Sequence, residues 1–163
     1  MITQKQLKQL LHYDPTTGVF RWRVSRSNGV KIGDIAGWNG GKGYACLSVG
    51  GKIYKAHRLA WLYMTGNWPA EEIDHIDCCR NNNKFSNLRE ATRSQNRCNS
   101  KIHPSNTSGY KGVSWHTRYN KWIAHIKINN KKIYLGYFLS AEAAHYAYVA
   151  ASKAYHGKFG RVK

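Results

Sequence analysis

EIDHIDCCRNNNKFSNLREATRSQN, residues 72–96, sets an aspartate directly before a histidine, in the most acidic patch of a chain whose formal net charge is +18. Ile73 and Ile76 bracket the pair Asp74 and His75, the pattern expected of a short strand that fixes both side chains. An Asn-rich loop follows and runs into NLRE, which reads as a second strand. TRSQNRC then starts as a helix. Thr92 supplies an N-cap and Gln95, three residues on, completes a capping box, so Asn96 lies in the first helical turn. A strand, a loop, a strand and a helix are therefore expected to bring the carboxylate of Asp74 and the amide oxygen of Asn96 to one divalent cation.

That patch stands out against its surroundings. The 163 residues hold 26 Lys and Arg against 8 Asp and Glu, which makes a strongly positive surface that draws polyanions, nucleic acid first among them. A merely solvated basic surface is the bland alternative. Six Trp and eleven Tyr favour recognition, because aromatics interleaved with cations can stack on bases as well as fill cores. An apolar fraction of 42% supports compact cores and a globular chain. The start, MITQKQLKQLLHYD, lacks the apolar run of a signal peptide, and no later stretch has membrane-spanning length. A cytoplasmic protein without a membrane partner is the expectation, in a bacterial or phage-infected host cell. Cys46, Cys78, Cys79 and Cys98 form no CxxC pair, so buried or surface thiols are expected rather than a zinc ribbon or disulfide frame.

NSKIHPSNTSGY, residues 99–110, gathers Ser, Asn, Pro and Gly and divides the chain near residue 104. Residues 1–105 hold 16 basic and 7 acidic side chains and residues 106–163 hold 10 and 1, so each half carries +9 and both are expected to touch the polyanion. In the first half TQKQLKQLL reads as a helix, DPTTG as a turn and VFRWRV as a strand. YACLSVGGKIYKA forms a hairpin about Gly50 and Gly51, and HRLAWLYMTG a helix closed by Gly66. Arg21, Arg23 and Arg26 hint at a groove contact, whereas Arg89, Arg93 and Arg97 fit phosphate contacts and solvated charges equally well. In the second half GYKGVSWH, KWIAHIKI and KKIYLGYF are strands, the last two joined by Asn129 and Asn130. SAEAAHYAYVAASKAYHG is a helix capped by Ser140. Trp122, Ala124, Ile126 and Ile128 share one face of the middle strand, towards the helix, and leave Lys121, His125 and Lys127 on a basic, wet face.

The order Asp74-His75, Asn87 in SNLR and Asn96 in RSQN resembles the HNH endonuclease motif on its ββα-metal scaffold, over residues 57 to about 99. The phage and intron-encoded homing endonucleases, with their HRLAW, DHI, NLR and SQN segments, are the most similar variety. The resemblance implies His75 as general base, Asn87 as the residue steadying the loop behind it, and Asp74 and Asn96 as metal ligands. Asn96 stands where many relatives carry histidine, and oxygen ligands favour Mg²⁺ or Mn²⁺ over zinc. Residues 109–160 are similar to the APETALA-two, or ethylene-response-factor, DNA-binding domain, on the segments YKGV, KWIAHI, LGYF and AEAAHYAY. That likeness implies a sheet lying in the major groove and contacts from Ser114, His116, Arg118, His125, Lys127, Lys132 and Tyr134. Several of these depart from the arginines and tryptophans usual there, so the plant target sequence is not implied.

The fold expected is α+β: N-terminal β-hairpins, a ββα-metal core, then a small three-stranded antiparallel sheet packed on one helix, with domains at 1–104 and 105–163. The chemistry expected is hydrolysis of phosphodiesters in double-stranded DNA. An imidazole of ordinary pKa accepts a proton from water near neutral pH, while an oxygen-bound cation neutralises the phosphate and leaving oxygen. One site per chain implies that a monomer on DNA nicks, leaving 5′-phosphate and 3′-hydroxyl ends, with no small-molecule cofactor. The rival reading is a non-catalytic, sequence-specific DNA-binding regulator; an RNA-binding protein fits the charge but gives no reason for the Asp-His pair.

Overall fold

A computed structural model describes residues 1–26 and 29–162. The chain divides into two compact units, Met1–Ala91 and Thr92–Lys163. The first begins with helix α1 (Gln4–Leu10), whose capping box is formed by Thr3 and Gln6. Strands β1 (Leu11–Asp14) and β2 (Val19–Trp22) pair antiparallel with Leu11 opposite Trp22 and Asp14 opposite Val19. The turn between them is tied by Asp14, whose Oδ1 accepts from the Thr16 amide at 2.8 Å, an Asx arrangement that the DPTTG sequence favours. A three-stranded sheet follows, β3 (Trp38–Asn39), β4 (Ala45–Val49) and β5 (Lys52–Lys55), in the order β3-β4-β5. Gly50 and Gly51 turn β4 into β5 with φ of +57° and +73°, values that side chains rarely permit.

Helix α2 (Ala56–Thr65) ends at Gly66 in the left-handed conformation, with the Gly66 amide returning to the Leu62 carbonyl. Its Leu59 and Leu62 are almost wholly buried with Leu7, Leu11, Tyr13, Phe20, Leu47, Val49, Ile73 and Leu88 in one apolar cluster. Each such leucine contributes roughly 2 kcal/mol by leaving water. Strands β6 (Glu72–His75) and β7 (Leu88–Ala91) complete the unit as an antiparallel pair with Asp74 opposite Arg89 and His75 opposite Leu88.

The second unit opens with α3 (Arg93–Cys98), where Thr92 and Gln95 form the capping box. Strands β8 (Val113–His116), β9 (Lys121–Ile128) and β10 (Lys131–Phe138) make an antiparallel sheet with β9 central. Asn129 and Asn130 turn β9 into β10 with φ of +48° and +64°. Helix α4 (Ala141–His156) is capped by Ser140, whose side chain accepts from the Ala143 amide. Ala124 and Val113 pack with Ala141 and Ala144, and Ile126 packs with Tyr148 and Ala151, so alternate β9 residues do face the helix. Alanines on α4 let the helix approach the sheet closely. The α+β architecture is the one the patterning implied, with two strands, β1 and β3, that the periodicity did not reveal. The four cysteines are free.

Candidate active site

His75 ends β6 with 5% of its surface exposed, and Asp74 before it is 4% exposed. Consecutive strand residues point to opposite sides, and the two side chains meet different partners. Asp74 Oδ2 accepts from Arg89 Nε at 2.8 Å and pairs with Arg89 Nη2 at 2.7 Å across the β6–β7 ladder. Arg89 is thus a mostly buried partner of Asp74, not the phosphate contact or solvated charge that its sequence context allowed. His75 Nε2 lies 3.1 Å from Asn83 Oδ1. The Asn83 amide nitrogen donates to the Asn81 carbonyl at 3.3 Å, which leaves its oxygen towards the ring. The ring nitrogen facing that oxygen therefore carries the proton, and Nδ1 keeps the lone pair.

The loop from residue 76 to residue 87 is braced at both ends by Asn87, which is 9% exposed. Its Nδ2 donates to Asp77 Oδ1 at 2.9 Å and to the Asn82 carbonyl at 2.8 Å, while its Oδ1 accepts from the Asp77 amide at 3.1 Å. The Asn87 carbonyl also accepts from the Ile76 amide, directly after His75. Asp77 accepts from the Cys79 amide and from Asn82 as well. Partial burial opposes ionisation of Asp77, but the hydrogen bonds from Asn82, Cys79 and Asn87 prevail and hold its carboxyl below the usual range.

An aromatic cluster walls the other side of the histidine. The His57 ring, in the first turn of α2, meets His75 edge-on at 5.0 Å between centroids, and Tyr44 lies 5.3 Å from His57 and 6.2 Å from His75. Tyr44 in turn carries two cations, with Lys55 Nζ 4.3 Å and Arg80 5.0 Å from its ring centre. Burial, helped by the positive Arg80, pushes the His75 pKa below its ordinary value against the opposing pull of Asn83, Asp77 and Asp74. His75 is therefore neutral at neutral pH. His57 goes lower still, to about 3, through burial first and then His75, Lys55 and Arg58.

The sequence profile of HNH endonucleases matches residues 54–98, which hold α2, β6, β7 and all of α3. Protein 3.8 of Escherichia phage T7 is 36% identical over 85 residues, an alignment that covers 50% of this chain and 70% of the phage protein. The chain belongs to the HNH endonuclease family. Among solved structures, the one titled DNA binding and cleavage by the HNH homing endonuclease I-HmuI is 20% identical to it, with a TM-score of 0.45 over 88% of this chain and 79% of that one.

In this HNH chain Asp74, His75 and Asn87 lie in the first unit, each side chain on its own partners, while Asn96 belongs to the second unit, half-buried on α3 with its amide donating to the Thr92 carbonyl. Asn83, Asp77, Tyr44 and His57 escaped the sequence reading. The run of three asparagines after CCR was the visible trace of Asn83, and HRLAW contained His57, but nothing local distinguishes the member of each run that turns inward. The three arginines of the first hairpin region have structural partners. Arg21 donates to the Gly33 carbonyl, Arg23 to Lys8 and Arg26 to Ser48, so each guanidinium braces a neighbouring segment of the unit.

In the second unit, strand register puts six of the seven suggested DNA contacts on one sheet face. Ser114 is opposite Ile123, His125 opposite Tyr134 and Lys127 opposite Lys132, with His116 opposite Lys121 one row away. Arg118 lies exposed in the β8–β9 turn. The same face carries a cluster not anticipated from sequence. His116 stacks on Tyr119 at 4.8 Å, and Tyr137 meets both edge-on at 5.4 and 5.1 Å.

Proposed function

We propose that the chain is a metal-dependent endonuclease of the HNH homing type that nicks double-stranded DNA, leaving 5′-phosphate and 3′-hydroxyl ends, and acts as a monomer. The observation that carries this reading is the buried His75 imidazole, kept neutral by its surroundings and oriented by Asn83 with Nδ1 as the proton acceptor. Such a group takes a proton from an attacking water at neutral pH. Asn87 holds the loop behind it through Asp77 and Asn82, a supporting role that keeps the ring from drifting.

Asp74 and Asn96 are the residues that would hold the cation. Their donors are oxygens, which hard divalent ions such as Mg²⁺ and Mn²⁺ prefer. When bound it neutralises the scissile phosphate and the departing 3′ oxygen. Arg89, already on the Asp74 carboxylate, balances that charge in the protein by itself and would share or yield the carboxylate to the ion.

Delivery of DNA is assigned to the positive surface of both halves, and in the second unit to the sheet face bearing Ser114, His116, His125, Lys127, Lys132 and Tyr134, with Arg118 at its edge. A sheet of this kind fits the major groove, as in the APETALA-two-like domain that the segment resembles. Lys127 and Lys132 suit phosphates, since a lysine lacks the fork that reads guanine. Supercoiled plasmid incubated with the protein in Mg²⁺ should convert to the open circle, and EDTA should stop it. His75→Ala should bind the plasmid undiminished and leave it uncut. Cutting by His75→Ala at the wild-type rate refutes the assignment, and binding without cutting by the unaltered chain supports a regulator instead.

A further inference from the structure

We infer that the N-terminal hairpin β1–β2 is a positioning element of the nuclease site, acting on His75 through Asn83. Tyr13 on β1 donates its hydroxyl proton to the Asn83 carbonyl at 2.6 Å, across 70 positions of sequence. Gly18, at the end of the turn, lies so close to the same residue that a Cβ there would fall 2.4 Å from the Asn83 carbonyl carbon and 2.5 Å from the Lys84 nitrogen. The Phe85 amide donates to the Pro15 carbonyl at 3.0 Å. Three contacts from residues 13–18 therefore land on residues 83–85, and the first two fall on Asn83, whose side chain accepts from the His75 ring.

The physical reasoning is one of constraint. Asn83 belongs to a loop without regular structure, so its own backbone has no ladder to hold it, and an amide that swings by a fraction of an ångström turns the imidazole with it. Asn87 ties the loop at Asp77 and Asn82, on the near side of Asn83. The hairpin supplies the opposing hold. Tyr13 is suited to it because its ring is fixed by Phe20 at 4.7 Å and Tyr63 at 5.6 Å, and its burial beside Asp14 keeps the hydroxyl protonated far above neutral pH. Glycine at position 18, with φ of +77°, allows a backbone approach that a side chain would block. The hairpin thus contributes to catalysis without touching the reacting atoms.

This inference rests on the nuclease reading, and the test separates the two. Tyr13→Phe in the full chain deletes the donated hydrogen bond and keeps the ring. Trp22→Leu loosens the far end of the same hairpin, opposite Leu11, without touching Tyr13 or that bond, and serves as the comparison. In plasmid nicking, Tyr13→Phe should lower kcat about tenfold at unchanged KM while Trp22→Leu stays within about twofold of wild type, since a small misplacement of a reacting group is costly. Independently of activity, ¹⁵N imidazole spectra of metal-free protein, with the His75 signals identified from His75→Ala, should show a single Nε2-protonated tautomer in wild type and in Trp22→Leu, and a mixture in Tyr13→Phe. An unchanged His75 spectrum in Tyr13→Phe, or equal losses of kcat in the two variants, overturns the inference. If the wild-type chain nicks no DNA, the nuclease reading fails, yet a tautomer mixture confined to Tyr13→Phe still establishes the hold on the ring.

Discussion

Acidification should destabilise the first unit through His57. This side chain is 5% exposed, its Nδ1 has no hydrogen-bond partner, and the groups that face it are cationic or aromatic: Lys55 and Arg58 beside it, His75 from β6, and Tyr44. Its pKa is about 3 in the folded chain against an ordinary 6.5. The unfolded chain thus binds the proton first, so the stabilisation is intact above pH 6.5 and drains away as the pH falls from there towards 3. At pH 5 an unfolded imidazole is almost fully charged while the folded one is almost fully neutral, and the difference corresponds to about 2 kcal/mol. His57→Phe keeps a planar ring in the site and removes the titration. Urea unfolding of both proteins at pH 7.5 and pH 5, followed by tryptophan fluorescence, isolates the effect. The stability of wild type relative to His57→Phe should fall by about 2 kcal/mol between the two pH values. A difference that stays constant to within roughly 0.5 kcal/mol would show that His57 is as readily protonated in the fold as out of it, and the argument from burial would fail.

Three further outcomes follow from the geometry. Because burial holds the His75 pKa below its ordinary value, the nicking rate should stay level down to pH 6.5 and decline only below it; a midpoint above that value would mean that the base gains an acidic partner in the working complex. Arg89→Met removes the guanidinium from the buried Asp74 carboxylate, 4% exposed, and should cost roughly 3 kcal/mol at neutral pH, readable by urea unfolding. A loss much smaller than that would mean that the pair contributes little to the fold. Gly112→Ala should lower the thermal midpoint of the second unit, with a cost of roughly 2 kcal/mol or more, since φ is +72° and the new methyl would sit 2.3 Å from the Tyr148 ring and 2.6 Å from the His125 carbonyl.

The elements that sequence reading placed correctly share one property, which is that their determinants lie within a few residues of one another. Thr92 and Gln95 close a capping box three positions apart, Gly50 and Gly51 make their own turn, Asn129 and Asn130 make theirs, and Ser140 reaches the Ala143 amide. The order Asp74, His75, Asn87 and Asn96 was legible for the same reason, as a spacing along the chain. The family match over residues 54–98 agrees with where that motif lies. What escaped were partners distant in sequence. Asn83 could not be told from Asn81 and Asn82, since which of the three turns inward depends on Tyr13 and Gly18 some 70 positions earlier. Arg89 fits a phosphate contact and a solvated charge equally well in sequence, and the β6–β7 register sets it opposite Asp74. Arg21, Arg23 and Arg26 serve carbonyls of other segments, partners that no local pattern shows.

By itself the amino-acid sequence determined most of the secondary structure, the α+β class, the positive charge that selects polyanions, and the short motif that falls within the HNH match, because hydrophobic period, capping and charge act locally or by simple sum. Tertiary structure alone decided which nitrogen of His75 faces Asn83, which of the three asparagines meets the ring, and that burial lowers its affinity for protons. Those properties depend on dielectric and on hydrogen-bond direction, and both are set by side chains that only packing brings within a few ångströms.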